Sequence, residues 1–331
     1  MKRLLLYLLF IPYLLSGCTS SENNYTTTQK VINVEYPSEG SIVFSEKMSF
    51  PKIKSGYTLW LPKEVSKGLI VFLDEYRDTV NKTPIIDLGL KNQLAILFVT
   101  TNNPAEFLFE ESKMKELEGY IYEAISKNNI PKNNMLYCGM SLAGTRALKL
   151  AAFSQTPQST YKLMPKAIAI CDAPLDMVRN YHECKKASDL NLNPTGATES
   201  EWVSSYIRSN LKGTPEEALN AYINYSPFCY TAENGGNAKA FKNIYLRCYT
   251  EPDVNWWIEN RGRDYYGMNA IDLAALVNQL KILGSKKAEL ITTIGKGFRE
   301  DGSRHPHSWS IVDEKKLIEW FTGLPADKKM P

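Results

Sequence analysis

From Gly68 onward the chain carries a series of short, unbroken apolar runs: Gly68 to Leu73, Leu94 to Thr100, Met135 to Cys138, Ala167 to Cys171, Ile244 to Tyr249 and Glu289 to Ile294. A strand with one wet face alternates apolar and polar residues, whereas one covered on both faces stays apolar throughout, so these runs predict buried parallel strands. Between them lie stretches with apolar residues three and four apart, predicting helices over Phe107 to Lys127, Thr145 to Ala152, Ala270 to Leu283 and Asp313 to Phe321. Alternation of this kind implies an α/β architecture: a mainly parallel sheet, helices on both faces and right-handed crossovers. Ahead of it, weaker β-like runs at Ile32 to Tyr36, Ser41 to Phe44 and Tyr57 to Leu61, punctuated by Pro and Gly, predict an antiparallel edge.

One region breaks the rhythm. Leu175 to Ala240 is polar and rich in aromatics (Tyr181, Trp202, Tyr206, Tyr222, Tyr225, Phe228, Tyr230) and reads as a helical insertion over the strand ends after the sixth strand. Its aromatics serve either a ligand or packing, and the pattern does not choose between them. No internal repeat is present.

The N-terminus follows a different logic. Lys2 and Arg3 precede the apolar run Leu4 to Leu15, which ends at Leu15-Ser16-Gly17-Cys18. This resembles a bacterial lipoprotein signal. The resemblance implies cleavage before Cys18, a lipid on its sulfur and a membrane tether rather than a span, in a bacterial cell envelope, with the outer membrane or cell surface favoured over the inner membrane. Residues 1–17 are then the signal, 18–30 a polar, low-complexity tether, and 31–331 the folded α/β domain with its insertion at about 175–240. Losing Lys2 and Arg3 leaves 37 basic against 36 acidic residues, a net charge of +1. That balance gives no nucleic-acid footprint.

Of the six cysteines, Cys138, Cys171 and Cys248 fall in apolar runs and read as buried thiols. Cys184 and Cys229, in more polar surroundings, are the candidate disulfide partners. No CxxC or His-x-x-x-His spacing suggests a metal site.

The chemistry centres on Gly139-Met140-Ser141-Leu142-Ala143-Gly144, which follows a strand-like run and leads into a helix-like one. A strand, a tight turn carrying a serine, then a helix is the setting of a nucleophile elbow. A serine hydroxyl near neutral pH needs a base, and only three histidines exist: His182, His305 and His307. The order of serine, then acid, then a histidine after the last strand resembles the α/β-hydrolase superfamily over roughly residues 40 to 322, with the serine turn and the His-Ser-Trp segment resembling esterases and prolyl-oligopeptidase-like enzymes. One departure from Gly-x-Ser-x-Gly is Ala143, with glycine one residue later.

That resemblance implies Ser141 as nucleophile, His307 as base, with His305 its competitor, and an orienting acid. Pro306 forces His305 toward an extended backbone, and His307 matches the His-x-Trp pattern. Asp253, in the loop after Ile244 to Tyr249, is the favoured acid; Glu251 and Asp172 are its rivals, and His182 is structural or substrate-facing. The oxyanion donors implied are the Leu142 amide and a second amide at Glu75 or Tyr76, where the His-Gly motif of esterases is missing. No cofactor is implied. The expected partner is a small-molecule ester, with a short peptide or a purely binding role as alternatives, and nothing fixes an oligomeric state.

Overall fold

A computed structural model describes residues 25–32, 55–74, 83–101 and 107–325. Eight strands form one sheet in the order β1-β2-β4-β3-β5-β6-β7-β8. They are β1 (Tyr25–Ile32), β2 (Ser55–Pro62), β3 (Gly68–Phe72), β4 (Leu94–Thr100), β5 (Met135–Met140), β6 (Ala167–Cys171), β7 (Tyr245–Thr250) and β8 (Ala288–Thr292). β1 and β2 pair antiparallel, as do β2 and β4, and every other pairing is parallel.

The apolar runs are continuous because the sheet is covered twice. On one face Leu69, Val71, Met135, Tyr137, Ile168, Ile170, Leu246 and Cys248 pack under α2 (Glu111–Lys127), α3 (Leu142–Phe153) and α8 (Ala270–Ile282). On the other, Ile70, Phe72, Leu136, Cys138, Ala167, Ala169 and Cys171 pack under α1 (Pro84–Lys91) and α9 (Glu314–Gly323). Neighbours in sequence go to opposite cores, as the two-residue period of a strand requires. At roughly 1.5–3 kcal/mol per fully buried aliphatic or aromatic side chain, these two layers supply the main drive for folding.

Between β6 and β7 the chain builds α4 (Met177–Leu190), α5 (Pro194–Leu211) and α6 (Pro215–Tyr225), then 3-10 turns over Glu233–Phe241. Their starts are written locally. Asp176 accepts the amides of Val178 (2.9 Å) and Arg179 (3.2 Å), Asn193 accepts that of Gly196 (2.8 Å), and a proline opens both α5 and α6. Phe107, Met177, Tyr181, Ile207, Leu211, Tyr222 and Tyr225 make a separate core beneath these helices. Tyr181, Tyr222 and Tyr225 are therefore packing residues, while Tyr230 is exposed. The buried Arg179–Asp272 pair, at 2.5 Å, ties α4 to α8.

Several expectations shift. The tether expected over residues 18–30 runs into β1, which starts at Tyr25: the threonines of Tyr-Thr-Thr-Thr are β-branched and suit an edge strand, although their polarity reads as linker. The expected strand at Ile32 to Tyr36 coincides with β1 only at Ile32; its remainder and Ser41 to Phe44 lie outside the described residues, as does the whole signal segment with Cys18. The helix expected from Phe107 begins at Glu111, because Leu108 takes a positive φ of 56° and Phe107 turns into the core of the insertion. Cys184 and Cys229 are both buried free thiols, each near a side-chain oxygen (Asn180 and Thr231), so the considered disulfide is not formed. No helix of the described residues is long and apolar enough to cross a membrane.

Candidate active site

The end of β5 makes a sharp turn. Ser141 takes φ 53° and ψ −128°, a conformation few non-glycine residues adopt, between β5 and the first residue of α3. Two glycines make room for it. A Cβ at Gly139 would lie 2.2 Å from the carbonyl carbon of Ala143, and one at Gly144 would lie 2.7 Å from the Ala173 Cβ. Ala143, by contrast, fits its buried place. The spacing that departs from Gly-x-Ser-x-Gly thus puts its second glycine where the helix presses on the residue after Asp172.

Cys171, the last residue of β6, anchors two pieces of the site. Its carbonyl accepts the Ser141 N–H at 2.8 Å, and its thiol lies 3.5 Å from the Ser308 carbonyl. The next residue is Asp172, whose Oδ2 lies 2.6 Å from His307 Nδ1. Ser141, Asp172 and His307 are thereby gathered at the C-terminal ends of β5 and β6. Asp172 also has a positive φ, 43°, and is held on three sides: Thr250 Oγ1 donates to its Oδ1 at 3.1 Å, its N–H reaches the Tyr249 carbonyl at 2.9 Å, and Asn269 Nδ2 donates to its carbonyl at 2.9 Å. With Nδ1–H donating to the carboxylate, the other ring nitrogen of His307 keeps its lone pair free to accept a proton.

Asp253, the acid favoured from sequence, is elsewhere engaged. It caps α7 (Val254–Arg261) by accepting the Trp256 amide at 3.2 Å, and its other oxygen takes Arg304 Nη2 at 2.7 Å. The structure therefore corrects that expectation: the carboxylate at the β6 end, and not the one after β7, holds the imidazole. Glu251 serves the same loop by a different route. Its buried carboxylate accepts Thr293 Oγ1 (2.7 Å), the amides of Lys296 (2.8 Å) and Gly297 (3.4 Å), and an ion pair with Arg304. Burial alone would raise its pKa, but the Thr293 hydroxyl, those amides and the Arg304 charge hold it below the usual value. Arg304 in turn donates to the Gly297 carbonyl at 2.8 Å, so the segment bearing the histidines is clamped at its base.

The two loop histidines separate cleanly. His305 is buried against Trp256 and Trp257, with its Nε2 3.2 Å from Arg261 Nη2 and, among the described residues, no carboxylate in contact. Burial, then the charges of Arg299, His307 and Arg261, push its pKa down to about 4. His182, on α4, stands at the surface 3.3 Å from Glu216.

Leu142 supplies the first amide of α3, and first-turn amides have no partner inside their own helix. Its side chain packs against the core of the insertion, so that core reaches the residue following Ser141. Glu75 and Tyr76 lie outside the described residues. The chain enters that segment beside the elbow, since Arg146 of α3 donates to the Leu73 carbonyl at 3.2 Å. Among the described residues, no three His, Cys, Asp or Glu side chains come together as a metal-ligand set.

Sequence reasoning weighed Asp172 but missed its supports, Thr250 and Asn269. A carboxylate directly after a wholly buried strand and before Ala-Pro was the available signal.

Solved structures share this architecture. The acylaminoacyl peptidase of Pyrococcus horikoshii superposes over 94% of this chain with a TM-score of 0.55 and 11% identity. Carboxyl esterase 2 of Tuber melanosporum does so over 92% with 0.51 and 14%, and an inhibited esterase B of Lactobacillus rhamnosis over 91% with 0.52 and 10%. The fold is that of the α/β-hydrolases. The chain spans 43% of the peptidase and 87% of each esterase. No protein-family model and no curated protein matches the sequence.

Proposed function

We propose that this α/β-hydrolase-fold chain is a serine hydrolase that cleaves a carboxylic ester through an acyl-enzyme, with Ser141 as nucleophile, His307 as base and Asp172 as the orienting acid. The observation that carries the reading is the 2.6 Å contact of Asp172 with His307 Nδ1, made one residue from the carbonyl that receives the Ser141 N–H. In the proposed reaction the Ser141 hydroxyl adds to the substrate carbonyl while its proton passes to the free nitrogen of His307, whose charge Asp172 offsets. The oxyanion meets the Leu142 amide at the positive end of α3. Collapse expels the alcohol, which takes the proton from His307. Water then repeats the sequence to release the acid and restore Ser141. The chain is further proposed to be tethered to a bacterial envelope membrane through Cys18.

Structures of both esterases and an acylaminoacyl peptidase share the fold, so a peptide bond is the competing target. A fluorophosphonate probe should label the wild type and leave Ser141→Ala untouched; a wild type that resists labelling would make the chain a binding module with a hydrolase shape. Turnover of p-nitrophenyl acetate is expected to exceed that of aminoacyl-prolyl anilides. The reverse order would assign a peptidase.

A further inference from the structure

On the His307 side of the site the arginines fall into two kinds. Arg304 is neutralised by Glu251 and Asp253, as described above. Arg261 and Arg299 are not: among the described residues no carboxylate closes an ion pair with either, although Arg261 feels Glu199 and Arg299 is felt by Asp301 at longer range. Arg261 is half-buried, and its guanidinium hydrogen-bonds a neutral imidazole nitrogen, that of His305. It ends α7 with its guanidinium 5.9 Å from the ring of Trp256, and that indole stands 4.7 Å from the His305 ring. The His305 ring is in turn 6.3 Å from that of His307. Arg299 lies on the opposite, exposed strand of the small Phe298–Arg304 turn, and its charge bears on both His305 and Arg261.

Guanidinium groups gathered without counter-ions repel each other, and what Arg261 gives the fold, its contact with His305 and a cation at the end of α7, does not call for a second cation beside it. A second consideration fixes what they face. In acyl transfer the histidine returns its proton to the leaving group, so the leaving group lies on the imidazole side of the scissile bond. Here the ring beside His307 is that of His305, with Trp256 and Arg261 against it in turn.

We propose that Arg261 and Arg299 form a carboxylate subsite beside His307, so that the preferred substrates release a leaving group bearing a carboxylate. This rests on the serine-hydrolase reading for its direction but not for the existence of the subsite. A carboxylate matches the planar fork of a guanidinium better than other common anions of this size, and a partly desolvated ion pair there discriminates strongly against a neutral isostere. Two sources carry this chemistry: the alcohol of an ester of a hydroxy acid, and the C-terminal amino acid of a short peptide.

The test compares matched acids and amides. For esters the pair is 4-acetoxybenzoate and 4-acetoxybenzamide; for peptides it is N-acetyl-alanyl-alanine and its C-terminal amide. The wild type should favour the acid of one pair by roughly tenfold or more in kcat/KM, the pair concerned telling which source is used. That ratio should fall toward one in Arg261→Gln and in Arg299→Gln; Arg299 is exposed, so its variant leaves folding intact. A ratio near one in the wild type, or one unchanged in both variants, overturns the subsite. Calorimetry on Ser141→Ala with 4-acetamidobenzoate and 4-acetamidobenzamide separates the two readings. Equal affinity for both ends the subsite whatever is hydrolysed. Preferential binding of the acid by a protein whose wild type hydrolyses neither pair upholds the subsite and ends the hydrolase reading.

Discussion

Replacing Asp172 by Asn and, separately, Asp253 by Asn sets two carboxylates of one loop region against each other. Asn keeps the size of Asp172 and can still reach His307, but it presents either a neutral acceptor or a donor to Nδ1. With the donor facing, the imidazole is held in the tautomer whose free nitrogen points away from Ser141; with the acceptor facing, the charge that offsets the imidazolium is gone. In Ser-His-Asp triads the corresponding change lowers kcat about 10⁴-fold, which at about 1.4 kcal/mol per decade is roughly 5.5 kcal/mol of barrier. A loss of that order is expected for Asp172→Asn, because its Oδ2 contact is short and its Oδ1 is occupied by Thr250. Asp253→Asn removes one of the two carboxylates on Arg304 but leaves an amide oxygen to cap α7, so it should cost less than about 1 kcal/mol of stability, with turnover reduced less than about tenfold. The assay is p-nitrophenyl acetate turnover normalised to fluorophosphonate-titrated sites, with denaturation midpoints measured in parallel. An inactive, well-folded Asp253→Asn beside an active Asp172→Asn would refute the assignment.

Other outcomes can be stated more briefly. Gly139→Ala should unfold or inactivate the protein, since the new methyl meets the rigid Ala143 backbone at 2.2 Å; a thermal midpoint within a degree of wild type would contradict the close approach. Arg179→Ala strands the fully buried Asp272 and should cost about 3–5 kcal/mol, read from urea midpoints. His305 has a folded pKa of about 4 against 6.5 unfolded, so its contribution is intact above pH 6.5 and is lost as pH falls toward 4, where the unfolded chain binds the proton first. Between pH 7 and 5 the wild type should therefore lose up to about 2 kcal/mol more than His305→Gln, less where water screens the arginines, and equal losses would contradict the burial argument. Glu251→Gln should loosen the histidine loop, lowering turnover and raising protease sensitivity between Thr293 and Ser308; an unchanged cleavage pattern would deny the clamp.

How much of this was legible in the sequence depends on the range of the interaction involved. The buried strands, the α/β alternation, the insertion and the Ser141 turn were all readable, because each is written in residues within a few positions of one another: an apolar run, a 3.6-residue period, glycines around a serine. That a histidine follows the last strand was readable too, although its contact with Asp172 was not. Edge strand β1 was not, since a threonine-rich segment looks like linker until a neighbour offers it a ladder of hydrogen bonds. Which carboxylate lies against His307 was decided only by tertiary structure. Asp172, Glu251 and Asp253 all sit in loops after parallel strands, and local sequence does not tell which of them reaches an imidazole 54 to 135 residues downstream; Asp253 was favoured only by the resemblance. What separates them is where β6 and β7 end relative to the histidine loop, and which of the three carboxylates the amides of Lys296 and Gly297, the Trp256 amide and Arg304 had already taken. The cations gathered beside His305 are a product of the same packing, because α7 and the turn that carries Arg299 meet only in the folded chain.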